Sequence, residues 1–212
     1  MVASAGSDLG PDSAEQSSEL AVAEQNNLKL DYSQLIIRWM QPVDISDMMS
    51  IESVSFGKHH WTPESFRNEL KNYVAQYQVL IAPDQPIALL GYAGAWIIED
   101  ECHITTVAVR PEYRGFALGE LQVCSILEKC YRQKVRWVTL EVRTSNTAAH
   151  HLYYKYGFNL MGLRPKYYQD TEEDAMIMTT PDIQSDPYHV LYEARKHKLI
   201  GRIKCLPEGF GI

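Results

Sequence analysis

Two residues in the chain combine useful chemistry with an ordered setting, Glu141 and Tyr153. Glu141 stands in the stretch 136–143. There Val138, Leu140 and Val142 take one face of a strand, and Trp137, Thr139, Glu141 and Arg143 take the other. An acid so placed accepts a proton, directly or through a water, when a substrate amine reaches it. The same place also suits a solvated sheet residue. Tyr153 belongs to the stripe Ala149, Leu152, Tyr153, Tyr156, which is core spacing on a helix. Its hydroxyl can equally donate a proton into a cleft. His150 and His151 are adjacent on that helix, point different ways, and do not make the i, i+4 pair that binds zinc. His59 and His60 flank a helix start, where they either touch substrate or sit as surface histidines. No Ser or Cys stands beside an identifiable base, and no metal site is expected.

The third feature is the run 107–120, Val-Ala-Val-Arg-Pro-Glu-Tyr-Arg-Gly-Phe-Ala-Leu-Gly-Glu. A strand rich in Val, Ile and Thr ends at Arg110-Pro111, because proline cannot donate to a ladder. From Leu118, apolar residues at Val123, Ile126, Leu127, Cys130 and Tyr131 follow helical spacing. The small residues between let the backbone approach a ligand. The first helical turn offers N–H groups with no internal partner and the positive end of the macrodipole. Such a loop suits a phosphate or pyrophosphate, with Arg114 adding charge at its edge, and it also suits an ordinary strand-to-helix turn. Glu120-Leu121 after Gly119 is wrong for a Walker loop, and no G-x-G-x-x-G is present.

The elements around these residues follow in order. Residues 35–40 read as a strand, and Asp44 as the cap of a helix ending near Gly57. Thr62-Pro63-Glu64 opens another helix, with a capping hydroxyl, Pro at the first position and an acid in the first turn. Residues 78–82 and 87–98 form a hairpin, 104–109 the strand before the loop, and 136–143 the strand of Glu141. Asn146 caps a short helix over 147–156 that Gly157 closes, and 158–163 pairs with 175–179.

At 212 residues the chain has room for one substantial domain with tails. Of its net charge of −7, residues 1–31 carry −5, from six acids and Lys29, and their composition predicts disorder. The near-neutral remainder lacks the basic face that nucleic acid requires. Four cysteines without a C-x-x-C pair predict reduced thiols. No apolar run reaches membrane-spanning length, and no signal core or transit pattern opens the chain, so a cytoplasmic protein with no membrane partner is expected. Residues 181–212, with Tyr188, Leu191, Tyr192 and Leu199, predict one further helix with a basic end.

Together these stretches resemble the GNAT family of acetyl-CoA-dependent N-acetyltransferases. Its loop pattern, Q/R-x-x-G-x-G/A, is similar to Arg114-Gly115-Phe116-Ala117-Leu118-Gly119, with Ala117 where the central Gly stands. Leu140-Glu141-Val142-Arg143-Thr144-Ser145-Asn146, then Leu152-Tyr153 and Tyr156-Gly157-Phe158, resembles the RimI-type subgroup, which acetylates the N-terminal alanine of a small-subunit ribosomal protein. Arg164-Pro165-Lys166-Tyr167-Tyr168 and 173–178 resemble the subgroup's ending, and Phe56 with 61–66 its first substrate loop. The likeness spans about 35–180. That range would be the acetyltransferase domain, between an acidic tail at 1–31 and an extension at 181–212.

The resemblance implies an α/β (α+β) GNAT fold. Its sheet is mixed and mostly antiparallel, with two central parallel strands splayed apart and helices on both faces. It implies that Val107, Ala108 and Val109 pair with the pantetheine arm of acetyl-CoA, and that the N–H groups of Gly115, Phe116, Ala117, Leu118, Gly119 and Glu120, beside Arg114, hold the pyrophosphate. Asn146 would bind near the reactive end, with Glu141 as general base and Tyr153 as general acid. Trp61, Tyr167 and Tyr168 would contact the substrate. The expected partner is a protein N-terminus, that of a ribosomal protein first, with no nucleic acid. Two rival readings remain at this level: acetylation of lysine side chains or a small amine, and an acyl-CoA-binding sensor without catalysis.

Overall fold

A computed structural model describes residues 29–57 and 61–212. His59 and His60 lie outside the described residues, as does nearly all of the acidic segment. The chain runs β1 (Ile36–Trp39), α1 (Ile45–Ser55), α2 (Pro63–Glu69), β2 (Ala75–Ile81), β3 (Leu89–Ile98), β4 (Glu101–Val109), α3 (Leu118–Arg132), β5 (Trp137–Arg143), α4 (Thr147–Lys155), β6 (Asn159–Tyr168), β7 (Glu173–Thr179) and α5 (Asp186–Ile203). Seven strands form one sheet in the order β1-β2-β3-β4-β5-β7-β6. Every pairing is antiparallel except that of β4 with β5. This is the mixed sheet expected from the sequence.

The parallel pair is short. β4 and β5 are in register only from Glu101↔Trp137 to Ile104↔Leu140. Beyond that point β4 stays with β3 through Val109↔Gly91, while β5 follows β7 through Arg143↔Ala175. A β-bulge marks the divergence. Gly94 pairs with Thr106 and Ala95 with Ile104, so Thr105 has no partner in β3, and an extra residue of this kind bends and twists its strand. The Thr105 hydroxyl is 2.9 Å from the Tyr77 hydroxyl. The two strands therefore leave an open V in the middle of the sheet.

Each sheet face has its own core. On one, α1 and α2 bury Met48, Ile51 and Phe66 against Tyr77, Val79 and Tyr92. On the other, α3, α4 and α5 bury Leu121, Cys124, Tyr156, Tyr192 and Leu199 against Leu80, Ala93, Val138 and Leu140. α2 opens as expected: Thr62 Oγ1 accepts from Ser65 N at 3.1 Å, a cap contributing about 1 kcal/mol. Asp44 behaves differently from the expectation. Its carboxylate binds Arg38 at 2.7 Å and accepts from Gln41 N at 2.7 Å, with no side-chain bond to the first turn of α1. A charged guanidinium partner is stronger than a neutral amide.

Residues 181–212 join the core directly. α5 buries Tyr188, Tyr192, Leu199 and Ile203 in the α3-side cluster. Beyond it, Ile37 N donates to Glu208 O at 2.7 Å and Glu208 N to Leu35 O at 3.2 Å. The tail thus covers the free edge of β1, which would otherwise present unpaired backbone groups. Among the described residues no helix is long and apolar enough to cross a membrane.

Candidate active site

The V between β4 and β5 opens into a cavity of about 860 Å³. Glu141 lies on its wall at the point where the strands part, with its side chain only 8 % exposed. Strand alternation turns Glu141 away from the buried Leu140 and Val142, as its sequence pattern requires. His103 Nε2 approaches one carboxylate oxygen at 3.0 Å, and Arg164 Nη1 the other at 3.1 Å. The bond from His103 and the nearby charges hold the carboxyl below the ordinary glutamate range, against burial, which acts the other way. Glu141 is therefore an ionised carboxylate facing the cavity.

Tyr153, at the inner face of α4, also lines the cavity while its ring packs against Phe158 with centroids 5.5 Å apart. Core residue and cleft residue are thus the same side chain. Burial pushes its hydroxyl above the ordinary tyrosine range, so it stays protonated. Asn146 uses Oδ1 to cap α4, accepting from Ala149 N at 3.1 Å, which leaves the donor Nδ2 as the end available to the cavity it lines. Trp61, Tyr167 and Tyr168 stand on the cavity walls as well. Trp61 is anchored by its backbone N–H, which donates to Glu52 Oε2 at 2.8 Å. Tyr168 lies under Arg143, whose guanidinium carbon is 4.0 Å from the ring centroid, and burial pushes its hydroxyl up to about 12.

The β4 side of the gap presents backbone. Arg110 N donates to Leu90 O at 2.8 Å. Alternation along the antiparallel pair then turns the polar groups of Ala108 toward β3 and those of Val107 and Val109 into the gap. Of the residues 107–109, Val107 and Val109 therefore turn their backbone polar groups to the gap and Ala108 turns its own to β3, because successive residues of a strand face opposite ways. The Ala108 carbonyl is further engaged by Gln122 Nε2 at 3.1 Å.

Past β4, Gly115 has φ +84° and Ala117 φ +58°. These left-handed residues coil the loop so that it feeds straight into α3. Leu121 N is the first amide in the helix to find its acceptor, Ala117 O, at 2.9 Å. The N–H groups of Gly115, Phe116, Ala117, Leu118, Gly119 and Glu120 have no acceptor among the described residues. Six such donors at the positive end of a 15-residue helix suit a pyrophosphate. Arg114 reaches back from this loop to Ser55 Oγ at 3.1 Å, on the opposite wall. The Glu120 side chain points the other way, into the protein, to Lys155, Tyr156 and Arg202.

A splayed parallel pair, a carboxylate in the fork and a donor-rich loop at one end make a specific constellation. Residues 45–158 match the acetyltransferase (GNAT) family. The chain belongs to that family. It is 42% identical over 142 residues to a protein named as a putative ribosomal protein bS18-alanine N-acetyltransferase of Bacillus subtilis, covering 67% of this chain and 92% of that one. It is 30% identical over 123 residues to the ribosomal protein bS18-alanine N-acetyltransferase of Escherichia coli, covering 57% and 80%. The crystal structure of the Escherichia coli ribosomal-protein-S18-alanine N-acetyltransferase superimposes with a TM-score of 0.63 at 27% identity, covering 70% of this chain and 94% of that one.

In this GNAT acetyltransferase two site residues escaped the reading of the sequence, His103 and Arg164. β4 begins at Glu101 rather than 104, which brings His103 opposite Thr139, two residues before Glu141 and on the same face of β5. Extending the alternation of β4 back by one more pair would have found it. Arg164 comes from β6 on the far side of β7, and no local pattern signals that approach.

Proposed function

We propose that this acetyltransferase transfers the acetyl group of acetyl-CoA to the α-amine of a protein N-terminus, with the N-terminal alanine of a ribosomal protein as first candidate. The observation that carries the reading is Glu141, ionised between His103 and Arg164 in the fork of the splayed strands. The substrate assignment is supported by the relatives' names and by the extent of the likeness to the Bacillus subtilis protein.

The residues fit the co-substrate. Val107 and Val109 offer strand-edge groups to an extended amide-containing arm, and Gly115 through Glu120 offer donors to a diphosphate. Bound acetyl-CoA supplies an activated thioester. A peptide α-amine has a pKa near 7.7–8.0, so roughly a tenth is neutral at pH 7. Attack forms the C–N bond and breaks the C–S bond directly, without a covalent enzyme intermediate. As that bond forms, the nitrogen becomes acidic and Glu141 accepts its proton, with His103 as the adjoining group toward solvent. Backbone N–H near Val107 stabilises the developing oxyanion. Tyr153 donates a hydrogen bond to the departing thiolate and supplies the proton that completes free coenzyme A.

The test is an acetylation assay with acetyl-CoA and peptides beginning Ala, Ser or Met, alongside a blocked peptide containing Lys. The Ala peptide gains one acetyl group at its first amine. Acetylation of the Lys peptide instead would overturn the substrate assignment. Failure of every peptide together with tight coenzyme binding would favour the sensor reading.

A further inference from the structure

The segments flanking the matched family region meet behind the pyrophosphate loop. Glu120, in the first turn of α3, is an acid where an anion is to be bound. Its carboxylate is 7 % exposed as part of the whole residue and is fully engaged. Oε1 contacts Lys155 Nζ at 2.8 Å and the Tyr156 hydroxyl at 3.0 Å, and Oε2 contacts Arg202 Nη1 at 3.0 Å. From the other end of the chain, the Tyr32 hydroxyl donates to Phe116 O at 3.0 Å, inside the loop itself. Arg202 is carried on α5, which is tied along α3: Tyr192 donates to Glu128 at 2.7 Å and Lys196 to Glu128 at 3.0 Å. Farther on, Gly211 N donates to Ser125 Oγ at 3.0 Å. Tyr32 and Arg202 both lie outside residues 45–158.

We infer that Arg202 is a positioning residue for acetyl-CoA, neutralising Glu120 behind the loop while Tyr32 holds the loop's carbonyl from the same side. This rests on the loop being the pyrophosphate site. One carboxylate with two cations leaves the cluster net positive, so an acid that would repel the diphosphate becomes part of a favourable field. Without Arg202 the cluster is neutral, with Glu120 held by Lys155 and Tyr156 alone. The C-terminal helix thereby sets the affinity of the loop for its ligand without touching it.

Calorimetry of the full chain with acetyl-CoA, paired with steady-state kinetics, tests this. Arg202→Leu raises the dissociation constant and the KM for acetyl-CoA by roughly 3- to 15-fold, the effect of one charge on the order of 10 Å away at an effective dielectric of about 20–40. Its kcat at saturating acetyl-CoA stays within about twofold. The double variant Glu120→Gln/Arg202→Leu recovers most of the affinity, because the repelling acid has gone with its partner. Glu120→Gln alone binds acetyl-CoA more tightly than the wild type, because the two cations remain without their acid, which keeps the inference testable if Arg202→Leu does not fold. Unchanged affinity in Arg202→Leu, a double variant as weak as the single one, or Glu120→Gln binding no more tightly than the wild type would each overturn it. Wild-type protein that ignores acetyl-CoA would instead overturn the site assignment on which the inference rests.

Discussion

Replacing Glu141 by Gln separates the proposed proton-accepting role from shape. The two side chains are nearly the same size. In the variant the amide oxygen takes the bond from Arg164, 3.1 Å away in the native protein, and the amide N–H₂ meets His103, 3.0 Å away. The cavity keeps its form, and the loop at 115–120 belongs to another element, so acetyl-CoA affinity stays within about twofold. An ordinary glutamate already lies about 3.5 pKa units below a peptide α-amine, close to 5 kcal/mol, and the partners of Glu141 widen that gap. The carboxylate therefore does not strip the ground-state ammonium. In the proposed mechanism it accepts the proton as the nitrogen bonds to the acyl carbon, and loss of such a group slows turnover by about 10²- to 10⁴-fold, or about 3–5 kcal/mol of barrier. Rapid-quench single turnovers with an Ala-initiated peptide measure the chemical step directly. In the wild type, kcat/KM climbs with pH toward about 8 as the free amine titrates. A Glu141→Gln rate within about threefold of wild type, at unchanged coenzyme affinity, would refute the reasoning.

Other perturbations follow from the same geometry. Ala117 holds φ +58°, a left-handed conformation costing a non-glycine residue about 1–2 kcal/mol. Ala117→Gly removes that cost against about 0.5–1 kcal/mol of added chain entropy, so the melting temperature rises by about 1–3 °C; a lower one would contradict the loop geometry. Gly94→Ala drives a methyl group into the Tyr77 ring, displacing it from Thr105 at the bulge. It destabilises the protein by about 1–3 kcal/mol in urea unfolding, and an unchanged midpoint would argue against that packing. Glu141 and Glu128 are both held below the ordinary glutamate range: Glu141 by His103 and Arg164, Glu128 by Tyr192 and Lys196 despite its burial. Depressed carboxylates contribute stability that is present above their unfolded values and lost as pH falls. Melting temperatures stay level near neutrality and decline below about pH 5, whereas a rise on acidification from 5 to 4 would reverse the sign.

Much of this protein was legible along the chain. Val138, Leu140 and Val142 alternating with Glu141 determined which way that acid faces, because a strand's period of two leaves no choice. The breaker at Arg110-Pro111, the small residues after it and the helical spacing from Leu118 determined a strand, a loop and a donor-rich helix start. Asn146 and Thr62 announced their own helices through cap chemistry that acts within three residues. Only the tertiary structure decided what surrounds Glu141. His103 arrives from the neighbouring parallel strand, Arg164 from an edge strand two places away, and the V that exposes them depends on a bulge set by Tyr77 and Gly94. The same holds for Glu120, whose partners stand 35 and 82 residues away. Short-range patterns encode direction and conformation, whereas the charge around a group depends on which distant segments the packing brings beside it.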